Sequence, residues 1–108
     1  MLILFDQGTP VPLRAFLADH MVKTAAEQGW STLANGSLLD AAETAGFDVL
    51  VTTDKNFPHQ QRLHTRKIAL VVIGNAQWPV LKLQVQLVVD AINSAKPGSY
   101  VVIEIPIS

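Results

Sequence analysis

The sequence predicts an α/β fold in which a mainly parallel β-sheet is covered by helices on both faces, giving three layers. Short apolar runs alternate along the chain with segments of helical periodicity, which is the pattern of βαβ units. These runs are nearly unbroken, as in strands that are buried on both faces. The chain has 108 residues, is 49% hydrophobic and has a mean hydropathy of +0.29, so we expect one domain spanning residues 1–108.

Five segments are predicted to be strands. Residues 2–5 form an apolar run that ends at an acidic residue and a turn, and residues 21–24 are a shorter candidate. Residues 47–53 are rich in β-branched side chains and read as a central strand, and residues 68–73 are apolar throughout. Residues 100–105 alternate more clearly, which indicates an edge strand; an antiparallel orientation and a place at a dimer seam both remain open.

Four segments between these strands are predicted to be helical. A proline in the first turn and apolar spacing predict a helix over 12–20, and a helix over about 36–45 is predicted with Asn35 as its cap and Gly46 as its stop. A short polar helix is expected over 58–66. The longest helix is expected from Pro79 until the Lys-Pro-Gly at 96–98.

Charge and composition limit the classes of function. The net charge is −1 and the pI about 6.2, so the chain lacks the broad positive field of a general nucleic-acid binder, and any such contact must be local. Without cysteine there is no disulfide framework and no thiolate metal site. No signal-peptide pattern and no apolar run of membrane-spanning length occurs, so a cytoplasmic protein without membrane contact is expected.

Two acidic residues follow predicted strands and form the main functional signal. Asp6 ends the first strand and Asp54 ends the central one. Because the carboxyl ends of neighbouring parallel strands meet at one edge of a sheet, both carboxylates are expected to lie there. Two carboxylates at one place favour a hard divalent cation such as Mg²⁺ or Mn²⁺. The alternative is that each aspartate only closes a turn or caps a helix.

Three stretches of the sequence resemble the short PIN-like proteins, a largely uncharacterised family. They are LFDQ at 4–7, NGSLL at 35–39 and VTTDKNF at 51–57. This resemblance implies a PIN-type fold, Mg²⁺ or Mn²⁺ held by clustered acids, and attack of a water on RNA phosphodiesters. It also implies kinship with the toxin nucleases of toxin–antitoxin pairs, and hence an antitoxin as a protein partner.

Carried over by position, the resemblance assigns metal-binding and catalytic roles to Asp6 and Asp54. Where many relatives have further acids, this chain has Asn35 and Asn56, which are expected to be auxiliary oxygen ligands. An amide keeps an oxygen donor but lacks the charge, which weakens both cation binding and water activation. Asp40, on the middle helix, is a further candidate ligand, although a solvated helix carboxylate is the commoner explanation.

One basic stretch follows directly after the central strand. Lys55, Arg62, Arg66 and Lys67 are predicted to contact the phosphate backbone of RNA, and the alternative is a solvated helix face.

Three functions remain open from the sequence. The first is a metal-dependent ribonuclease, and the second is a non-catalytic PIN-like module that binds RNA or a partner protein. The third is a phosphoacceptor domain like a response-regulator receiver. Two features count against the receiver, because Gln7 follows Asp6 where a second acid is needed and no lysine stands at 73–74.

Overall fold

The computed structural model describes residues 1–60 and 62–105 and contains a five-stranded, wholly parallel sheet between two layers of helices. The strands, which lie in the order β2-β1-β3-β4-β5, are β1 (Leu2–Phe5), β2 (Met21–Thr24), β3 (Val49–Thr52), β4 (Ala69–Ile73) and β5 (Tyr100–Ile103). The predicted three-layer α/β fold is therefore confirmed.

Helices of two kinds connect the strands. The α-helices are α1 (Asn35–Thr44), α2 (Trp78–Leu81) and α3 (Val85–Asn93), and the 3₁₀ helices are Val11–Leu17, Phe57–Gln60, Leu63–Thr65 and Lys82–Gln84. Within residues 1–60 and 62–105, none of these helices has both the length and the apolar character that crossing a bilayer requires.

The sheet separates two apolar cores. Phe5 and Val51 point to one face, under α3 and the 3₁₀ helix Val11–Leu17, while Leu4 and Leu50 point to the opposite face, under α1. Successive side chains of a strand alternate between the faces, so unbroken apolar runs are what a sheet covered on both sides requires. This two-sided burial is the reason that the inner strands β1, β3 and β4 could be recognised in the sequence.

The predicted helices differ from the observed ones in hydrogen bonding and length. Segment 12–20 is the 3₁₀ helix Val11–Leu17, in which the N–H of Leu13 bonds to the carbonyl of Pro10 (3.1 Å). Segment 58–66 is two 3₁₀ helices on either side of Gln61, which lies outside the described residues.

The long helix predicted from Pro79 is also divided. It consists of α2, the 3₁₀ helix Lys82–Gln84 and α3, and the backbone of Gln84 (φ −124°, ψ 24°) lies outside the helical region. Leu81, Val88 and Ile92 are nevertheless buried against the sheet, as the apolar spacing predicted. The sequence therefore predicted which side chains of this segment are buried, but it did not predict the local change in backbone geometry.

The expected cap of the middle helix was wrong. Asn35 is the first helical residue and Ala34 occupies the N-cap position. At the other end Gly46 adopts φ +88°, as predicted, and the N–H of Phe47 bonds to the carbonyl of Ala42 (3.0 Å). Because this bond ties Phe47 to the end of α1, the central strand begins only at Val49 rather than at residue 47.

β5 is an edge strand, as predicted, but it is parallel to β4 and ends at Ile103 instead of residue 105. The antiparallel alternative was therefore wrong. Tyr100, Val101 and Val102 are exposed on this strand, which has a neighbour on one side only within the described residues. A homodimer formed through this edge stays a prediction.

Candidate functional site

The strand order places a topological switch point between β1 and β3. From β1 the chain passes to β2 on one side, and it then crosses to β3 on the other side of β1. In open α/β sheets the crevice beyond the carboxyl ends of two such strands is the usual place for a ligand. Asp6 directly follows β1, and Asp54 lies two residues beyond the end of β3. The two acids predicted from the sequence therefore border this crevice.

Thr52, the last residue of β3, links the two acids. Its hydroxyl donates a hydrogen bond to Oδ2 of Asp6 (2.8 Å) and accepts one from the backbone N–H of Asp54 (3.1 Å). Thr52 is fully buried, whereas both aspartates are half-buried. A single hydroxyl thus contacts the carboxylate of Asp6 and the backbone of Asp54.

Strand alternation explains why these groups meet beneath α1. Leu4 and Leu50 face α1, so the residues two positions further along, Asp6 and Thr52, emerge on the same side of the sheet. The side-chain amide of Asn35, the first residue of α1, donates a hydrogen bond to Oδ2 of Asp54 (3.1 Å). The helix end near these acids carries a partial positive charge, and its first turn contains no acidic residue.

Backbone groups of the two loops hold the remaining carboxylate oxygens. The N–H of Gln7 donates to Oδ1 of Asp6 (2.8 Å), and the N–H of Asn56 donates to Oδ1 of Asp54 (2.9 Å). Within residues 1–60 and 62–105, each of the four carboxylate oxygens accepts one hydrogen bond. These bonds orient both carboxylates, and a carboxylate oxygen has a second lone pair for a further ligand.

The environment of Asp6 disfavours its negative charge. Burial raises the pKa of Asp6 above its usual value of 3.8, and the charge of Asp54 acts in the same direction. Hydrogen bonds from Thr52 and from the N–H of Gln7 oppose the increase without cancelling it. The Asp6 carboxylate thus carries its charge at a cost, most of which comes from burial and a smaller part from the charge of Asp54.

The available donors suit a hard divalent cation. Asp6 and Asp54 provide half-buried carboxylate oxygens. Among residues 1–60 and 62–105, no three histidine or acidic side chains gather as a metal-binding group. Mg²⁺ is commonly held by only one or two carboxylates, with waters and substrate phosphates completing its shell, so a pair of acids is compatible with it.

Other predicted ligands lie in different surroundings. Oδ1 of Asp40 is 2.8 Å from Nη1 of Arg66, and the same guanidinium lies 3.5 Å from Oε1 of Glu43. Asp40 is thus occupied by an ion pair on the side of α1, and its role as a ligand stays a prediction. Asn56 is exposed and reaches the site through its backbone N–H.

The basic stretch does not form one continuous patch. The Arg66 side chain is only 18% exposed within its ion pairs, and Nζ of Lys55 lies 3.8 Å from Oε2 of Glu104 beyond β5. Arg62 and Lys67 are exposed. RNA contacts by these four residues stay predictions, and Arg66 would have to leave its partners on α1 to make one.

Thr52 is the site residue that the sequence reading missed. Its only signal was a polar side chain at the end of an apolar strand, two positions after Leu50 and hence on the same face as Leu50. A threonine is common in strands, so this signal does not separate a site residue from an ordinary one.

Comparisons with protein-family models, with curated proteins and with solved structures return no match. The PIN-like resemblance therefore depends on the three motifs in the sequence. Two of those motifs include Asp6 and Asp54, and the third includes Asn35.

Replacing Thr52 by valine is expected to destabilise the fold and to perturb Asp6. The change keeps the side-chain shape but leaves the partly buried N–H of Asp54 and Oδ2 of Asp6 each without its partner, at a cost of about 1–3 kcal/mol. The pKa of Asp6 should rise further, because the lost hydrogen bond lowers it. Urea denaturation and NMR titration of the carboxyl group measure the two effects. The exposed Thr44→Val is the control, and an unchanged Asp6 pKa in Thr52→Val would contradict the assignment.

The Asp6→Asn variant is expected to be more stable than the wild type near pH 7 in the presence of EDTA. Since the folded-state pKa of Asp6 is raised, the folded protein binds a proton more tightly than the unfolded chain. The wild type therefore loses stability as the pH rises from 3.8 through the folded-state pKa, and asparagine removes this loss. Urea denaturation at several pH values should show the two proteins diverging across that window. Equal stability at pH 7 would show that the burial cost is negligible.

Proposed function

We propose that this chain is a Mg²⁺- or Mn²⁺-dependent ribonuclease of the PIN-like type. The observation that carries the proposal is that the buried hydroxyl of Thr52 binds both the Asp6 carboxylate and the backbone N–H of Asp54 at the switch point of the sheet. Two half-buried carboxylates at one edge of a sheet favour a counter-ion, and a divalent cation is the counter-ion that also serves phosphodiester hydrolysis.

The roles of the residues follow from their contacts. Asp6 and Asp54 would hold the cation, Thr52 fixes both, and Asn35 orients Asp54 through its amide. When bound, such a cation lowers the pKa of a water and neutralises charge on a phosphate. The positive end of α1 favours a phosphate group near Asp54.

RNA cleavage tests the proposal. The purified protein is incubated with single-stranded and hairpin RNA in MnCl₂, in MgCl₂ and in EDTA, and the products are sized. We expect cleavage with either metal and none in EDTA. Cleavage that persists in EDTA, or intact RNA under every condition, would contradict a metal-dependent ribonuclease.

A second candidate function is a non-catalytic PIN-like module that binds RNA or a partner protein. It is favoured by Asn35 and Asn56, which supply amides where the resemblance leads one to expect acids. Such a module would bind labelled RNA in a filter assay without cutting it. An antitoxin partner and a cytoplasmic location belong to the ribonuclease proposal and are tested by pull-down and by fractionation.

One observation favours the receiver-like alternative, and two count against it. The strand order found here is also that of receiver domains, which bind ligands at the same switch point. Gln7, however, provides no second acid, and Ile73 and Gly74 provide no lysine. Incubation with acetyl phosphate and Mg²⁺ followed by mass spectrometry should leave Asp54 unmodified.

A further inference from the structure

A cleft of about 160 Å³ opens beside Asp6 at the same edge of the sheet. It lies between the loop that follows β1 and the turn that follows β2. Residues that line it include Phe5, Asp6, Gly8, Val11, Thr24 and Ala26. Gln7, Thr9 and Ala25 complete the lining, so the polar residues are Asp6, Gln7 and two threonines, and the others are apolar or small. The cleft is therefore a mainly apolar slot that has Asp6 of the candidate metal site among its lining residues.

The turn on the β2 side of the cleft is held by a reciprocal pair of hydrogen bonds. The backbone N–H of Thr24 donates to Oε1 of Glu27 (2.8 Å), and the N–H of Glu27 donates to the hydroxyl of Thr24 (3.1 Å). Glu27 also forms an ion pair with Arg14 of the 3₁₀ helix Val11–Leu17 (2.7 Å). This pair joins the turn to the segment that carries the opposite wall.

The loop on the β1 side is fixed just as firmly. The hydroxyl of Thr9 donates to the carbonyl of Val51 (3.0 Å), and the N–H of Thr9 donates to the carbonyl of Asp6 (3.0 Å). Gly8 adopts φ +96°, and a Cβ there would lie 3.3 Å from the hydroxyl of Thr53. Both walls are thus set by contacts within the protein, so the cleft exists before any ligand arrives.

The dimensions of the cleft suit a single planar ring. An engineered cavity of about 150 Å³ in another protein takes up one benzene molecule, and this cleft is of similar size. Its apolar lining favours a flat ring, and its position beside Asp6 places that ring next to a phosphate held at the metal site. We propose that the cleft is a subsite for one pyrimidine base of the RNA substrate. This inference depends on the proposed ribonuclease function.

Nucleotide binding in EDTA tests the subsite separately from the metal. Cytidine and uridine monophosphates are titrated into ¹⁵N-labelled protein. Adenosine monophosphate is titrated in a separate experiment as the purine for comparison. We expect shifts in the amides of Gly8 and Ala26, and an affinity for the pyrimidines about tenfold above that for the purine, because the larger two-ring base fits a slot of this size less well. Equal affinity for the purine, or shifts that leave both amides unchanged, would overturn the proposal.

Two variants narrow the slot from opposite walls. Ala26→Leu and Val11→Phe alter exposed residues, so both should fold, and each is expected to weaken pyrimidine binding about tenfold. Ala45→Leu, an exposed position at the end of α1, is the matched control. Wild-type affinity in both cleft variants would overturn the subsite. Pyrimidine binding without any RNA cleavage would support the subsite while the ribonuclease proposal fails.

Discussion

Asp54→Asn is expected to reduce Mn²⁺-dependent RNA cleavage by at least about 100-fold. The substitution keeps the size of the side chain but removes one of the two negative charges that would hold the cation. A bound cation contributes several kcal/mol to stabilising a phosphoryl transition state, and a loss of about 2.7 kcal/mol corresponds to 100-fold in rate. Initial rates on a labelled single-stranded RNA at saturating Mn²⁺ measure the effect.

The control for this experiment is Asp90→Asn. Asp90 is an exposed aspartate of α3 that accepts a hydrogen bond from Gln86 (2.8 Å), and it lies on a helix that covers the other face of the sheet from α1. Its rate should equal that of the wild type. Cleavage that survives in both Asp54→Asn and Asp6→Asn would show that the catalytic centre lies elsewhere.

Leu50→Ala is expected to lower the free energy of unfolding by about 2.7–5 kcal/mol, the range found for fully buried leucines. Leu50 is completely buried in β3, the central strand, and is paired in register with Leu4 on one side and Leu70 on the other. All three support α1, so the cavity would open beneath the helix that begins at the candidate site. Urea denaturation measures the loss.

Leu83→Ala provides the comparison for the core variant. Leu83 is 80% exposed, so its truncation should change stability by less than about 0.5 kcal/mol. Equal effects of the two substitutions would contradict the placement of Leu50 in the core. A loss of RNA cleavage in Leu50→Ala at temperatures where it remains folded would indicate that α1 positions the site.

The three inner strands could be predicted because they are buried on both faces of the sheet. The unbroken apolar run 68–73 is typical of such a strand, and Lys67 and Gly74 mark its ends. The ends and the types of the helices were harder to predict. Around Pro12 and at Gln84 the backbone departs from α-helical geometry, yet the buried side chains are those that an α-helix would bury. Apolar spacing alone therefore could not distinguish 3₁₀ from α geometry.

The candidate site was predictable only in its charged part. Asp6 and Asp54 stand out as the polar residues after apolar strands, and the sheet-edge rule brings them to one rim. Thr52 carries no charge and belongs to a residue type common in strands. Its hydrogen bonds to the Asp6 carboxylate and to the Asp54 backbone could therefore be recognised only in the three-dimensional structure. The ion pair of Asp40 with Arg66 joins residues far apart in sequence, and no local pattern announces it.

Mn²⁺ binding by the intact chain tests the shared cation site most directly. Calorimetric titration gives Kd, and thermal unfolding at about ten times that concentration should show a stabilisation of about 1.4 kcal/mol, or a rise in Tm of roughly 5–10 °C. The Asp6→Asn/Asp54→Asn double variant should show neither heat of binding nor a shift. An unchanged wild-type Tm in millimolar Mn²⁺, or an equal rise in the double variant, would contradict the site.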